Sequence, residues 1–360
     1  MTGMGAVLSV EPLVDSGGMN SDILRVRLER GSAIFKQLSA PDRRRTSLLL
    51  GLCREAHFYN SQELSGDPLI HELLPSVFHA SADLSSGARF LLLEDLYSSD
   101  YLQMGLLCGP GNPNNWHRRD SGALSALEQR LCLTPEKLAS IISSAFRCSA
   151  RLHGRFWRSP LLSSIPWLRS ASWWPASDPS PSAVSGSDHP KQWADAMEEA
   201  LLRWAAFRAL PAEQVDAEVW PSRLVALLDA SFAKCSYEAY MQMAAAMPFT
   251  LVHGDFHPAN LMWSDSLQTV KMLDWEMVGI GSGPQELGQF VISHLEPAFR
   301  AAHEAAFLAD YHAQLAAVCP AVASSYSLND CRAEYVAGGL GRWFWFLGWM
   351  STSMPAPILR

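Results

Sequence analysis

The chain has 360 residues, of which 48% are hydrophobic and 18% charged, a composition typical of a globular protein large enough for two lobes or domains. The formal net charge of −8 argues against a general nucleic-acid-binding protein, because such proteins carry a basic surface. The seven cysteines form no Cys-x-x-Cys pair, no apolar stretch reaches the ~20 residues of a membrane span, and the N-terminus lacks a basic start, so we expect a cytoplasmic protein.

Residues 1–97 predict an N-terminal lobe that consists of an antiparallel sheet and one helix. Strands are indicated where polar and hydrophobic residues alternate, and the helix where apolar residues recur every three or four positions. We predict strands at 7–14, 23–28, 33–38, 77–79 and 90–94, and a helix at 41–62. A Gly-rich turn at 16–21 separates the first two strands.

Residues 98–360 predict a second, mainly helical lobe. A helix is expected to begin at Thr134, because this N-cap residue is followed by Pro135 and Glu136 in the first turn. Residues 159–190, rich in Ser, Pro and Trp, predict an irregular insertion. Further helices are predicted at 190–210, 217–246 and 284–352, and short strands at 250–252, 261–263 and 270–273.

The most informative segment is 253–260, His-Gly-Asp-Phe-His-Pro-Ala-Asn, which follows a predicted strand. Asp255 and Asn260 lie in it, and a predicted hairpin delivers Asp274 nineteen residues after Asp255. Phosphoryl transfer needs a carboxylate that accepts the proton of the attacking hydroxyl and oxygen ligands that hold Mg²⁺ against the triphosphate. The pattern therefore predicts Asp255 as the base and Asn260 and Asp274 as the metal ligands.

This segment resembles the catalytic loop of the aminoglycoside phosphotransferase and choline kinase superfamily, which includes ecdysteroid-kinase-like members. The pattern His-Gly-Asp-x-His-x-x-Asn is matched at every fixed position of 253–260, and Asp274-Trp275 matches the metal-binding Asp and its aromatic neighbour. Residues 279–290 resemble the segment Gly-Pro-x-x-x-Asp-Leu, with Glu286 near the usual Asp. The resemblance implies an α+β, bilobal protein-kinase-like fold and an ATP- and Mg²⁺-dependent kinase acting on a hydroxyl of a small molecule.

The resemblance extends into the first lobe. Lys36 resembles the ATP-binding lysine of the family, and Glu55 resembles the helix residue that holds this lysine. Residues 90–96 resemble the strand that enters the hinge, where backbone groups would bind adenine, and the turn at 16–21 stands where the phosphate-covering loop should be. The implied nucleotide-binding residues are Lys36, Glu55, Ser16, Gly17, Gly18, Glu94 and Leu96.

Three other interpretations stay open. His253, Asp255 and His257 could share a metal in a hydrolase, although within a kinase these histidines should brace the loop by hydrogen bonds. A catalytically inactive binding protein would keep the fold without turnover. A protein kinase is disfavoured because Gly283 follows Asp274 by only nine residues, which leaves no room for a long activation segment.

The acceptor is predicted to bind on the second-lobe side of the cleft, beneath Asp255, because the attacking oxygen must approach opposite to ATP. The insertion at 159–190 and a C-terminal helix bearing Trp345 and Trp349 would line it, since residues four apart share a helix face. An aminoglycoside, a choline-like cation and an apolar alcohol such as a steroid all suit these residues. The sequence leaves open the acceptor, the oligomeric state and any protein partner.

Overall fold

The computed structural model describes residues 5–13, 21–38, 44, 47, 51–83, 85–108, 128–169, 189–215, 217–218 and 220–338. The predicted turn residues Ser16, Gly17 and Gly18, and the aromatic helix face with Trp345 and Trp349, lie outside these ranges. Within them the chain forms an antiparallel sheet with short helices, followed by a mainly helical region. The predicted α+β class is therefore confirmed.

The N-terminal sheet has five antiparallel strands in the order β1-β2-β3-β5-β4, so β3 lies at its centre. The strands are β1 Val7–Pro12, β2 Asp22–Leu28, β3 Gly31–Leu38, β4 Val77–Asp83 and β5 Ala88–Glu94. All five were predicted. The central strand carries Lys36, which the register pairs with Ile23 of β2 and Leu91 of β5. Its backbone is therefore paired with a strand on each side.

Two short helices accompany this sheet, α1 Arg54–Asn60 and α2 Pro68–Leu73. Helix α1 lies in the C-terminal part of the helix predicted at 41–62. Helix α2 was not predicted, although Asp67 caps it by accepting the Leu69 N–H at 3.0 Å. From α1, Phe58 stacks on Trp275 with ring centroids 4.3 Å apart. This contact fixes α1 against the segment that follows Asp274.

The second region is built around helices whose starts are marked by proline or by a capping side chain. They are α3 Pro135–Arg155, α4 Pro160–Ser163, α5 His189–Arg208, α6 Ser222–Phe232, α7 Tyr237–Ala246, α8 Gly283–His294, α9 Pro297–Val318 and α10 Pro320–Ser325. The predicted start of α3 is confirmed, since Thr134 accepts the Lys137 N–H at 3.2 Å. The helix predicted at 217–246 is two helices, because Ser236 caps a new one.

Five short strands, β6 Tyr101–Gln103, β7 Thr250–Val252, β8 Leu261–Ser264, β9 Thr269–Met272 and β10 Gly279–Gly281, complete the described fold. They form the sheets β6-β8-β9 and β7-β10. The three predicted strands at 250–273 are confirmed, and β6 and β10 were missed. In the described ranges, no helix has the length and apolar character that crossing a membrane would require.

Candidate active site

The loop between β7 and β8 is anchored by one buried aromatic residue and one obligatory glycine. Phe256 is fully buried and packs 5.5 Å from the ring of Phe290 on α8. Gly254 has φ +82°, and a Cβ atom there would lie 2.1 Å from the Met277 carbonyl oxygen. Only glycine fits this position without strain, since it lacks the side chain that disfavours positive φ. The loop is therefore pressed closely against the segment that follows Asp274.

The two loop histidines make hydrogen bonds to the backbone, as predicted. His253 Nδ1 accepts the Asp255 N–H at 3.3 Å, and Nε2 then donates to the Leu273 carbonyl at 2.7 Å. His257 Nδ1 accepts the Ala259 N–H at 3.2 Å. Each ring therefore presents an N–H at Nε2, which fixes the position of the loop relative to the end of β9.

Asp255 is surrounded by neutral hydrogen-bond donors. Its Oδ1 accepts from Gln289 Nε2 at 2.6 Å, and its Oδ2 lies 3.2 Å from Asn260 Nδ2 and 3.3 Å from His257 Nε2. The Asn260 amide nitrogen also donates to the Asp255 carbonyl at 3.0 Å. Because this amide nitrogen faces Asp255, the Asn260 oxygen is the atom left to bind a cation. Gln289 was not predicted, and it lies on α8, thirty-four residues beyond Asp255.

Asp274, two residues after the end of β9, lies in the left-handed region, with φ +63° and ψ 60°, a conformation rare for residues other than glycine and frequent at functional sites. The Leu273 N–H donates to the Asn260 carbonyl at 2.8 Å, which keeps the two predicted metal ligands side by side. Burial alone would raise the pKa of Asp274, but Lys36 and Arg89 hold it below its ordinary value. The side chain is therefore a carboxylate that could bind a cation through its oxygens.

Lys36 contacts Glu55, the partner that the family resemblance implies, and also Asp274, which was not expected beside it. Its Nζ lies 2.8 Å from Glu55 Oε2 and 2.6 Å from Asp274 Oδ1, and Glu276, which the sequence analysis missed, lies 3.9 Å away. Burial alone would lower the pKa of Lys36, but the charges of Asp274 and Glu55 raise it above its ordinary value. The lysine is therefore a fixed cation in the cleft between the sheet and the catalytic loop.

The carboxylates of Glu55, Asp274 and Glu276 are close enough to suit a divalent cation. One oxygen from each lies within 4.8 Å of the others, among the described residues. Carboxylate and amide oxygens are the ligands that Mg²⁺ prefers, and Asn260 adds an amide oxygen beside Asp274. Burial and the neighbouring charge of Asp274 raise the pKa of Glu276 to about 7. The oxygens of Asn260 and Asp274 fit Mg²⁺, whereas Lys36 Nζ lies among the three carboxylates.

Glu286, which stands near the usual aspartate position of the resembling segment, supports the loop at 253–260. Its Oε2 accepts the Gly254 N–H at 3.0 Å, and its Oε1 lies 2.7 Å from His153 Nε2. The other ring nitrogen of His153 lies 2.7 Å from the Tyr311 hydroxyl. Burial alone would raise the pKa of Glu286, but the bond from His153 and the charges around it hold the pKa below its ordinary value.

The predicted hinge residues lie where β5 ends. The Glu94 carboxylate accepts from the Ser76 N–H at 2.9 Å and the Ser76 hydroxyl at 3.0 Å, and the Leu96 side chain is buried. Between them, Asp95 accepts from Arg25 Nε at 2.8 Å. These side chains are engaged with the protein, and adenine binding by the backbone of this segment stays a prediction. The predicted contacts from Ser16, Gly17 and Gly18 stay predictions.

This fold and these side chains are those of a kinase-like phosphotransferase, and comparison with family models agrees. The model described as the phosphotransferase enzyme family matches residues 128–320, which is more than half of the chain. The chain belongs to this family, and the predicted resemblance to aminoglycoside phosphotransferases and choline kinases is confirmed. A comparison with curated proteins gave no match.

Solved structures resemble this chain over nearly its whole length. A mutant of aminoglycoside 2'-phosphotransferase-IIIa in complex with GDP aligns with a TM-score of 0.51 and 13% identity, covering 98% of this chain and 88% of the other. Choline kinase LicA from Streptococcus pneumoniae gives 0.43 and 14%, with 96% and 94% covered. Macrolide 2'-phosphotransferase MphH from Brachybacterium faecium gives 0.40 and 15%, with 96% and 93% covered. The first alignment supports the bilobal protein-kinase-like fold, which is confirmed.

Proposed function

We propose that this chain is an ATP- and Mg²⁺-dependent kinase that transfers the γ-phosphoryl group to a hydroxyl group of a small molecule. One observation carries the proposal: Asp255, Asn260, Asp274 and Lys36 converge in one cleft. Asp255 and Asn260 are hydrogen-bonded at 3.2 Å, and Lys36 and Asp274 are ion-paired at 2.6 Å. A base, two oxygen ligands and a phosphate-binding cation are the parts that phosphoryl transfer requires.

In the proposed reaction, the acceptor oxygen forms a bond to the γ-phosphorus while the bond from this phosphorus to the oxygen of the leaving ADP breaks. Asp255 takes the proton of the acceptor hydroxyl. Its carboxylate is about a quarter exposed, so a small molecule can approach it. The donors on Asp255, among them Gln289 and Asn260, hold the carboxylate in position.

Lys36 would contact the α- and β-phosphates, and Glu55 would hold the lysine in place. The backbone of Glu94 and Leu96 would bind adenine, and the turn containing Ser16, Gly17 and Gly18 would cover the phosphates. These roles follow from the family resemblance together with the 2.8 Å contact between Lys36 and Glu55.

Asn260 and Asp274 would hold Mg²⁺. The ion would neutralise the charge of the triphosphate and orient its terminal phosphate. Side chains of the protein perform the other steps. Asp255 binds the acceptor proton, and His253 and Glu286 hold the loop at 253–260 in position. No residue needs to become covalently modified in this scheme.

A screen of small alcohols that measures ADP release in the presence of Mg²⁺ tests the proposal, with Asp255→Asn as the control. The panel should include aminoglycosides, choline-like cations and steroid alcohols, and it should be repeated with GTP. An alcohol-dependent release of ADP that Asp255→Asn lacks supports the kinase. Nucleotide binding without turnover for any alcohol would favour an inactive binding protein instead.

A further inference from the structure

Arg89 is a fully buried arginine of β5 that lies behind the lysine of the nucleotide site. The strand register pairs it with Leu38, two residues beyond Lys36, so Arg89 and Lys36 project from the same face of the sheet. Its guanidinium was not singled out by any sequence motif. It nevertheless contacts three separate segments of the chain.

Each terminal nitrogen of Arg89 serves two partners. One nitrogen donates to the Leu52 carbonyl at 2.6 Å and lies 2.9 Å from Glu55 Oε2. The other donates to the Ser21 hydroxyl at 2.8 Å and to Glu276 Oε2 at 3.0 Å. A planar guanidinium can satisfy these four acceptors at once, whereas the ammonium group of a lysine cannot.

Carboxyl groups outnumber cationic groups in this cluster. Lys36 and Arg89 provide two cationic groups, and Glu55, Asp274 and Glu276 provide three carboxyl groups. Lys36 and Arg89 share the same oxygen of Glu55. When Lys36 shares its charge with phosphates, as the proposed function requires, Glu55 and Glu276 lose part of the charge that compensates them. A buried carboxylate without a partner is strongly unfavourable, so a second cation must stay with them.

We infer that Arg89 is a positioning residue of the nucleotide site, the fixed counter-cation that keeps Glu55 and Glu276 paired while Lys36 engages the triphosphate. The inference rests on the proposed function. It explains why a permanently charged, forked side chain stands in β5 with no access to solvent. Arg89 also connects Ser21, which directly precedes β2, to the carboxylates of Glu55 and Glu276.

Calorimetric titration with MgATP and, separately, with adenosine tests this role. Adenosine lacks phosphates, so it reports on the hinge alone. We expect Arg89→Lys to weaken MgATP binding about 10- to 100-fold, the usual effect of losing a residue that orients binding groups, and to leave adenosine binding unchanged. Equal weakening of both ligands, or unchanged MgATP binding, would overturn the inference.

Arg54 provides a matched control in the same lobe. It is also buried, but it donates to the Trp167 carbonyl at 3.0 Å and the Gly51 carbonyl at 3.2 Å rather than to the acidic cluster. Arg54→Met should lower the melting temperature without a selective loss of MgATP binding. A selective loss in this variant equal to that in Arg89→Lys would show a general effect of removing a buried arginine and would also overturn the inference.

A double variant covers the case in which Arg89→Lys does not fold. Arg89→Met combined with Glu276→Gln removes one charge of each sign, so Lys36 remains with two carboxylates. We expect this variant to fold and to bind MgATP more weakly than wild type at equal adenosine affinity. Wild-type MgATP affinity in the double variant would contradict the inference. If the wild-type protein binds neither ligand, the proposed function itself fails.

Discussion

Asp255 and Lys36 face the same cleft, but the protein holds them by different means. Asp255 is held by neutral donors, from Gln289, Asn260 and His257, whereas Lys36 is held by the carboxylates of Glu55 and Asp274. Removing a neutral donor leaves an ionised group with its other donors. Removing one member of the buried ion-pair cluster leaves an uncompensated buried charge, which lowers the stability of the folded protein far more.

This difference suggests that the loop side and the lysine side of the site have different roles in the proposed reaction. The catalytic loop must keep one geometry throughout the reaction, and short hydrogen bonds to backbone groups achieve this. The lysine side must exchange partners when nucleotide and metal arrive, and ion pairs with several similar carboxylates permit such an exchange. Apart from Asp255, whose charge the proposed reaction itself uses, substitutions that conserve shape but not charge should therefore affect the lysine side more, and substitutions that change geometry should affect the loop more.

The largest expected effect is at Asp255. We predict that Asp255→Asn lowers kcat at least ~10²-fold, the usual contribution of a positioned general base, because the amide cannot accept the proton. The side chain keeps its size, so the melting temperature should stay near that of wild type. Steady-state ADP release and a thermal melt check both statements. Near-normal turnover in the folded variant would remove Asp255 from the role of base.

On the lysine side, Asp274→Ala should abolish the Mg²⁺-dependent part of nucleotide binding. A ligand present at 100 times its dissociation constant stabilises a protein by about 2.7 kcal/mol, so the wild-type thermal shift with MgATP should be large. The exposed Asp265, on the turn of the same hairpin, is the matched control. Asp265→Ala should keep the full shift, and an unchanged shift in Asp274→Ala would refute the assignment of this metal ligand.

A smaller effect is expected from Gln289→Leu, which removes the 2.6 Å hydrogen bond to Asp255. Hydrogen bonds to charged groups contribute about 1.5–3 kcal/mol, so kcat should fall by about tenfold or more while KM for ATP stays constant. Gln285, one turn earlier on α8, contacts the Met247 sulfur instead and serves as control. If Gln285→Leu and Gln289→Leu have equal effects, Gln289 has no special relation to the base.

The smallest expected effect is a change in the pH dependence of stability. The pKa of Glu286 lies below its ordinary value of 4.5, so its ionised form contributes stability above that pH and loses it as the pH falls through the folded-state pKa. The free energy of unfolding in urea should therefore differ between wild type and Glu286→Gln at neutral pH, and less in acid.

Glu334 provides a control of opposite sign. It is buried beside Ser282 and Tyr326, and burial raises its pKa. A raised pKa means that the folded state binds the proton more tightly than the unfolded state, so wild type should gain stability relative to Glu334→Gln as the pH falls. The same slope for both variants would contradict the assignment of these two carboxylates.

Much of the fold and of the catalytic loop could be predicted because the relevant signals are local. Alternation of residue types marked the five strands of the sheet, and the capping sequence at Thr134 marked α3. The residues from His253 to Asn260 lie in one contiguous motif, so their spacing alone indicated a base and a metal ligand. The predicted contact between Lys36 and Glu55 required the family resemblance, and the structure contains it at 2.8 Å.

The residues that were missed depend on contacts between distant parts of the chain. Arg89 meets Glu276 across 187 positions, and Gln289 meets Asp255 across 34. No periodicity or spacing reports such pairs. For Arg89 a signal did exist, because its strand register relative to Lys36 follows once β3 and β5 are paired. For Glu276, its position two residues after Asp274 was the sequence signal that could have placed it near the same site.

The most direct test of the proposed activity is to follow the phosphoryl group itself. ³¹P NMR of a reaction containing the enzyme, MgATP and the alcohol that releases most ADP should show a new phosphomonoester resonance that grows in step with ADP. Asp255→Asn should show neither signal over the same period. Inorganic phosphate as the only product, or ADP formation that Asp255→Asn sustains at the wild-type rate, would contradict phosphoryl transfer to a small-molecule hydroxyl through Asp255.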